Sequence, residues 1–157
     1  MYPPDAGSKF DPLAFLKDYF DTIEINTTFY HTQRPVVVES WIRRVEENSR
    51  FLFSVKLWRH FTHDARTLDR DAINSVEEML EPMQKSGRLG ALLCQFPWSF
   101  RGNRENSRYL RDLFTTFSGY PLVLEVRHAS WDTPEVFEWL REHDVAFCNL
   151  DQPAGPM

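Results

Sequence analysis

The stretch Leu122–Arg127 reads LVLEVR. In an extended chain Leu122, Leu124 and Val126 point to one side, and Val123, Glu125 and Arg127 to the other. A strand covered by helices on both faces is near-continuously apolar. This one is apolar on a single face, and its second face becomes charged toward its carboxyl end. Four other segments carry the same signature: Asp21–Asn26 (DTIEIN), Phe51–Lys56 (FLFSVK), Leu89–Gln95 (LGALLCQ) and Val145–Asp151 (VAFCNLD). Ile23, Ile25, Phe53, Val55, Leu92, Cys94, Cys148 and Leu150 extend the apolar face. Glu24, Asn26, Ser54, Lys56, Leu93, Gln95, Phe147, Asn149 and Asp151 extend the mixed one.

Helical patterns lie between these strands. Pro12–Phe20 opens with Asp11 as N-cap and a proline at the first helical position. Pro35–Glu47 carries Val38, Trp41, Ile42 and Val45 along one stripe, and Arg70–Lys85 is closed by Gly87. One more helix ends near Phe117, and another covers Thr133–His143. The segment Leu57–Leu68 reads as a loop. Strict alternation of strand and helix predicts right-handed βαβ units and a parallel sheet. One apolar and one increasingly polar face is the pattern of a barrel interior near its mouth, not of an open doubly wound sheet. The fold class is therefore α/β, a partial TIM-type (β/α) barrel of about five parallel strands.

The chain has 157 residues, a formal net charge of −5 and 42% hydrophobic residues, which predicts one globular domain over residues 1–157. The acidic balance argues against a general nucleic-acid coat. No apolar run approaches the roughly 20 residues that cross a bilayer, and Met1–Phe10 does not read as a signal peptide. Cys94 and Cys148 lie inside apolar strand segments and read as buried reduced thiols, consistent with a cytoplasmic protein without membrane association.

Carboxyl ends of strands are where β/α folds build their sites. Glu125 and Arg127 share a face, with Lys56 two strands away. They form either an interior ion-pair network or an acid/base group, Glu125, beside an anion clamp of Arg127 and Lys56. Glu24 and Asp151 are further acid/base candidates, and Asn26, Gln95, His63, His128 and Trp131 are candidate ligand contacts. His60, His63 and His128 follow strand ends without the tight spacing of a metal site, so no metal is assigned and no cofactor is identified. The loops at this end carry Arg34, Arg59, Arg66, Arg101 and Arg104 among Phe29, Tyr30, Trp58, Phe61, Trp98, Phe100 and Trp131. The aromatics either plug the barrel top or, with the arginines, receive a phosphate-bearing ligand with a stackable face. Walker, Gly-x-Gly-x-x-Gly, Gly-x-Ser-x-Gly and His-Glu-x-x-His motifs are absent, which disfavours P-loop, dinucleotide, serine-esterase and zincin chemistry.

Four strings occur in order: EINTTFY (Glu24–Tyr30), FSVKLWRHFTH (Phe53–His63), LLCQFPWSF (Leu92–Phe100) and LEVRHASW (Leu124–Trp131). Together they resemble the YecE-like family, a domain of unknown function, from Tyr2-Pro3 to Asp151. The resemblance implies a TIM-type barrel and leaves the activity open. Members of that family carry a further strand before the Tyr-Pro and two more after the aspartate. The expectation is thus a barrel truncated at both ends, with exposed sheet edges that invite self-association or a completing chain. The leading functional reading is an anionic, phosphorylated small-molecule ligand with acid/base catalysis of hydrolase or isomerase type. The alternatives are a nucleic-acid-binding or metal-dependent nuclease-like barrel, and an inactive fragment.

Overall fold

The computed structural model describes residues 7, 8 and 10–150. Asp151 therefore lies outside the described residues. The elements run α1 (Pro12–Leu16), β1 (Thr22–Ile25), α2 (Thr27–Tyr30), α3 (Pro35–Arg44), β2 (Leu52–Lys56), α4 (Arg59–Thr62), α5 (Arg70–Lys85), β3 (Leu89–Gln95), α6 (Arg104–Thr116) and β4 (Leu122–Glu125). A 3₁₀ turn (Ala129–Trp131), α7 (Pro134–Glu142) and β5 (Ala146–Phe147) complete the chain. The five strands are all parallel and pair in sequence order, β1-β2-β3-β4-β5. Pairing in sequence order lacks the reversal that defines a doubly wound sheet.

Helices cover one face of this sheet. Phe53, Val55, Leu92, Cys94, Leu122 and Leu124 join a core with Val76, Met79, Leu80 and Met83 of α5 and with Leu110, Leu113 and Phe114 of α6. Helix α5 forms because these apolar residues recur at i, i+3, i+4 and i+7. Its ends are capped: Asp69 Oδ1 accepts from Ala72 N–H at 3.0 Å, and Gly87 takes the left-handed conformation at φ 67°.

Two helices are shorter than their patterns suggest. Asp11 does cap α1, accepting from Leu13 and Ala14 N–H. The helix nevertheless ends at Leu16 and not Phe20, and the Asn48 side-chain amide donates to the carbonyls of Lys17 and Phe20 just beyond it. Helix α3 stops at Arg44, and turns carry the chain through Glu47. The predicted loop Leu57–Leu68 contains α4, and α2 follows β1 where no helix is expected. Among the described residues no helix is long and apolar enough to cross a membrane.

The other face carries Glu24, Ser54 and Ala91 in one row of the register, then Lys56, Leu93, Val123 and Ala146, then Gln95 beside Glu125. The last strand corrects the sequence reading. Phe147 pairs with Leu124, so it lies on the helix face, where its ring meets Phe137 at 5.1 Å. Cys148, whose N–H donates to Leu124 O at 2.8 Å, falls on the Glu125 face. Asn149 then points with Phe147, away from the mixed face.

The strand ends are tied at the top by Thr28. Its buried hydroxyl lies 2.8 Å from Ile25 O and 2.7 Å from Lys56 O, bridging the carboxyl ends of β1 and β2. Thr28→Val keeps the shape and removes this bridge, so we expect a loss of about 1–3 kcal/mol. Urea denaturation checks it; an unchanged midpoint would mean the carbonyls find other donors.

Candidate functional site

Glu125 is the deepest charged group, only 4% exposed. Register explains its first partner: Gln95 stands opposite it on β3 and donates Nε2–H to Oε1 at 2.5 Å. Arg127, two residues on and therefore on the same face, places Nε 3.6 Å from that same oxygen. Among the described residues no donor reaches Oε2. The carboxylate is thus oriented through one oxygen and open at the other. The guanidinium of Arg127 is 41% exposed and leaves its outer nitrogens uncommitted.

A second group gathers on Phe29, which α2 presents because Thr28 anchors that turn. Lys56 Nζ sits 4.7 Å from the ring centroid, Arg59 Cζ 5.7 Å, and the His63 ring meets it edge-on at 4.9 Å. Arg59 is answered by Asp64 through Nε and Nη2, at 2.9 to 3.1 Å. Lys56 has no carboxylate partner among the described residues. His63 Nδ1 shares a 2.8 Å hydrogen bond with the buried hydroxyl of Thr62.

Electrostatics joins the two groups. Burial holds the His63 imidazole below its usual pKa, and the charges of Lys56, Arg59 and Arg127 push the same way, while Asp64 opposes them. Lys56 on β2 and Arg127 just after β4 therefore act on one ring. Cys148 reports the same convergence: burial raises its pKa, and the carboxylates of Glu125 and Glu24 raise it further. Cys94, by contrast, is sealed in the core, with burial raising its pKa to about 12.

Around this centre the loops form a stiff rim. Trp98 is 58% exposed, with Arg101 over its ring at 5.1 Å and His128 against it at 4.9 Å. His128 Nδ1 accepts from the Ser130 N–H at 3.1 Å and meets the Ser130 hydroxyl at 2.8 Å, and that hydroxyl accepts from Gly102 N–H at 2.6 Å. Two loops are thereby locked together.

The structure pairs Glu125 with Gln95 and Arg127, sets Lys56 and His63 together on Phe29, and places Glu24 opposite Ser54 on the same face of the sheet. Asn26 is exposed at the start of α2 with no capping bond, beside Glu24 along the free edge of β1. Trp131 is a packing residue: it is 2% exposed, stacked on Phe100, and its indole N–H is spent on Phe100 O. His60 turns outward, to Asp69 at 2.6 Å, so the three histidines do not converge. Among the described residues no three His, Cys, Asp or Glu side chains form a metal-binding group. Phe29 was readable only as one of several mouth aromatics, and Cys148 was assigned to the wrong face. The alternation of bulky Val145 and Phe147 with small Ala146 and Cys148 is the signal that places it.

The family model described as "Protein of unknown function DUF72" matches residues 1–156. The UPF0759 protein YunF of Bacillus subtilis is 31% identical over 145 residues, covering 88% of this chain and 50% of that protein. A DUF72 family crystal structure from Thermotoga maritima is 31% identical with a TM-score of 0.70, covering 90% of this chain and 56% of the other. One from Enterococcus faecalis, at 24% identity and a TM-score of 0.77, covers 87% and 57% and shares the fold. This chain spans about half the length of the curated relative it matches.

Rim rigidity can be tested at Gly102, where an added Cβ would lie 2.6 Å from Ser130 O. Gly102→Ala should destabilise the protein by about 1–3 kcal/mol. Thermal melting measures this, and an unshifted midpoint would show that the two loops separate easily.

Proposed function

Because this chain belongs to the DUF72 family of proteins of unknown function, we propose a role from its site: it binds a phosphate-bearing small molecule at the carboxyl ends of β2 to β4. The observation that carries this reading is Lys56. A half-buried ammonium without a counter-ion is costly, and an anion arriving beside it removes that cost. Arg127 adds a guanidinium whose outer nitrogens suit an oxyanion's paired oxygens.

Glu125 is the acid/base group of this reading. Gln95 and Arg127 fix its orientation, and its open oxygen faces the space where a substrate would sit. The reaction is of hydrolase or isomerase type, in the cytoplasm, where Cys94 and Cys148 stay reduced. The surrounding architecture is a YecE-like (β/α) barrel of TIM type. Supporting it are the in-order parallel sheet, helices on one face only, and the electrostatic reach between Glu24 and Cys148. Further strands, or another copy of the chain, would add at the free edges of β1 and β5.

A second reading is favoured by Trp98 with Arg101 stacked on it: the rim would hold single-stranded nucleic acid by base stacking and phosphate contacts. Among the described residues no group of three His, Cys, Asp or Glu side chains supports a metal-dependent nuclease. Salt separates the readings, because polyanion binding weakens steeply through counterion release.

Calorimetry with inorganic phosphate and a panel of phosphate monoesters tests the proposal. Lys56→Met should weaken phosphate binding by about tenfold or more, the scale of one lost charge-assisted contact. Glu125→Gln should retain binding and abolish turnover of whichever monoester reacts. Equal phosphate affinity in Lys56→Met and the unaltered protein would remove the proposal.

A further inference from the structure

His63 occupies an unusual position. Its ring, with Lys56 and Arg59, is one of three nitrogen-bearing groups set on the single ring of Phe29. Its Nδ1 is held by Thr62, and among the described residues its Nε2 has no partner. We infer that the mouth takes up a doubly charged tetrahedral oxyanion, the end group of a phosphate monoester, together with a proton on His63. This rests on the anion-binding reading above and extends it to ligand class and proton stoichiometry.

The charges facing His63 come from every side of the mouth. Lys56 belongs to β2, Arg59 to α4 and Arg127 follows β4, while Asp64 is the opposing acid. Asp64 is already chelated to Arg59 and offsets that cation, Arg127 shares one oxygen of Glu125 at 3.6 Å, and Lys56 has no carboxylate partner among the described residues. From α2 the contact is the uncharged Phe29, and the neighbouring His60 is turned away to Asp69. Burial and the cations disfavour the protonated imidazole, in line with its lowered pKa.

An oxyanion among those cations reverses the balance. It cancels the field that opposed protonation, and it accepts a hydrogen bond from Nε2–H. The His63 pKa is then higher in the complex than in the free protein. Between the two values the complex holds more protons, so affinity must rise as pH falls through that window. The charge of the ligand follows from the donors. Lys56 brings three N–H groups and Arg127 its outer nitrogens, and a protonated His63 adds one more. Three cations set against the one carboxylate of Glu125 leave two positive charges, which match a dianion with three terminal oxygens.

Sulfate is the probe, because it keeps both charges over the range used and any proton taken up belongs to the protein. Isothermal calorimetry of the full chain, in two buffers of different ionisation enthalpy near neutral pH, should give an uptake of about 0.3 to 1 proton per sulfate. Affinity should rise about five- to tenfold from about pH 8 to about pH 6. In His63→Asn the uptake and the pH dependence should both disappear. Sulfate binding without proton uptake in the unaltered chain, a measurement that needs no variant, overturns the inference and leaves the anion reading standing. So does pH dependence that persists in His63→Asn. A folded His63→Asn that binds no sulfate at any pH also overturns it, since His63 would then be an indispensable contact and not a proton carrier. If the unaltered chain binds neither sulfate nor phosphate at either pH, the anion reading falls with it.

Discussion

All five strands run in one direction and pair in the order in which they occur, and everything at the site depends on that. Parallel pairing in sequence order brings every strand's carboxyl end to one rim, so Lys56, Gln95 and Glu125 share one face at that end although they are far apart in the chain. The register does the fine positioning. Gln95 and Glu125 are directly paired residues on neighbouring strands, which is why their side chains hydrogen-bond without help from a loop. An arrangement built on strands is held more rigidly than one built on loops.

The two faces of the sheet solve different problems. On the helix face, Phe53, Leu92, Cys94 and Leu124 are sealed, and burial of such side chains supplies about 1.5–3 kcal/mol each. The opposite face gives up part of that gain: Leu52 is 38% exposed there, and Glu24 and Ala146 are also open. A sheet does not leave half its surface wet and charged for the sake of stability. Leu93 and Glu125 are nevertheless buried on this face and lie outside the main apolar cluster.

Much of this was legible in the sequence, where residues obey a period. Arg70–Lys85 and Leu89–Gln95 have the bounds that their apolar spacing and caps imply. Glu125 and Arg127 were placed on one face by their spacing alone. Features shorter than a period were not legible: α2 and α4 span four residues each, too few for a repeat to declare itself. The error at β5 has a cause of the same kind. That strand pairs over only Ala146 and Phe147, and polar Asn149 suggested the wrong parity. Trp131 misled for another reason, since an aromatic near a mouth can as well be a plug, and only contacts decide.

The choice of partner for Lys56 bears most directly on function. A carboxylate beside it would neutralise it and close the site. Phe29 holds the ammonium by its ring quadrupole at about 0.5–2 kcal/mol, fixing its position without cancelling its charge. Arg59 is held on the same ring and by Asp64, and Arg127 by one oxygen of Glu125 at 3.6 Å. Asp64 and Glu125 are thus engaged with arginines, and Lys56 is left without a carboxylate partner among the described residues. A fold that needed only internal balance would pair Lys56 with an acid, and Glu24 lies on the same face with no ion-pair partner among the described residues. Anchoring Lys56 on an aromatic ring instead leaves its charge without a carboxylate partner among the described residues, in a chain that as a whole carries −5.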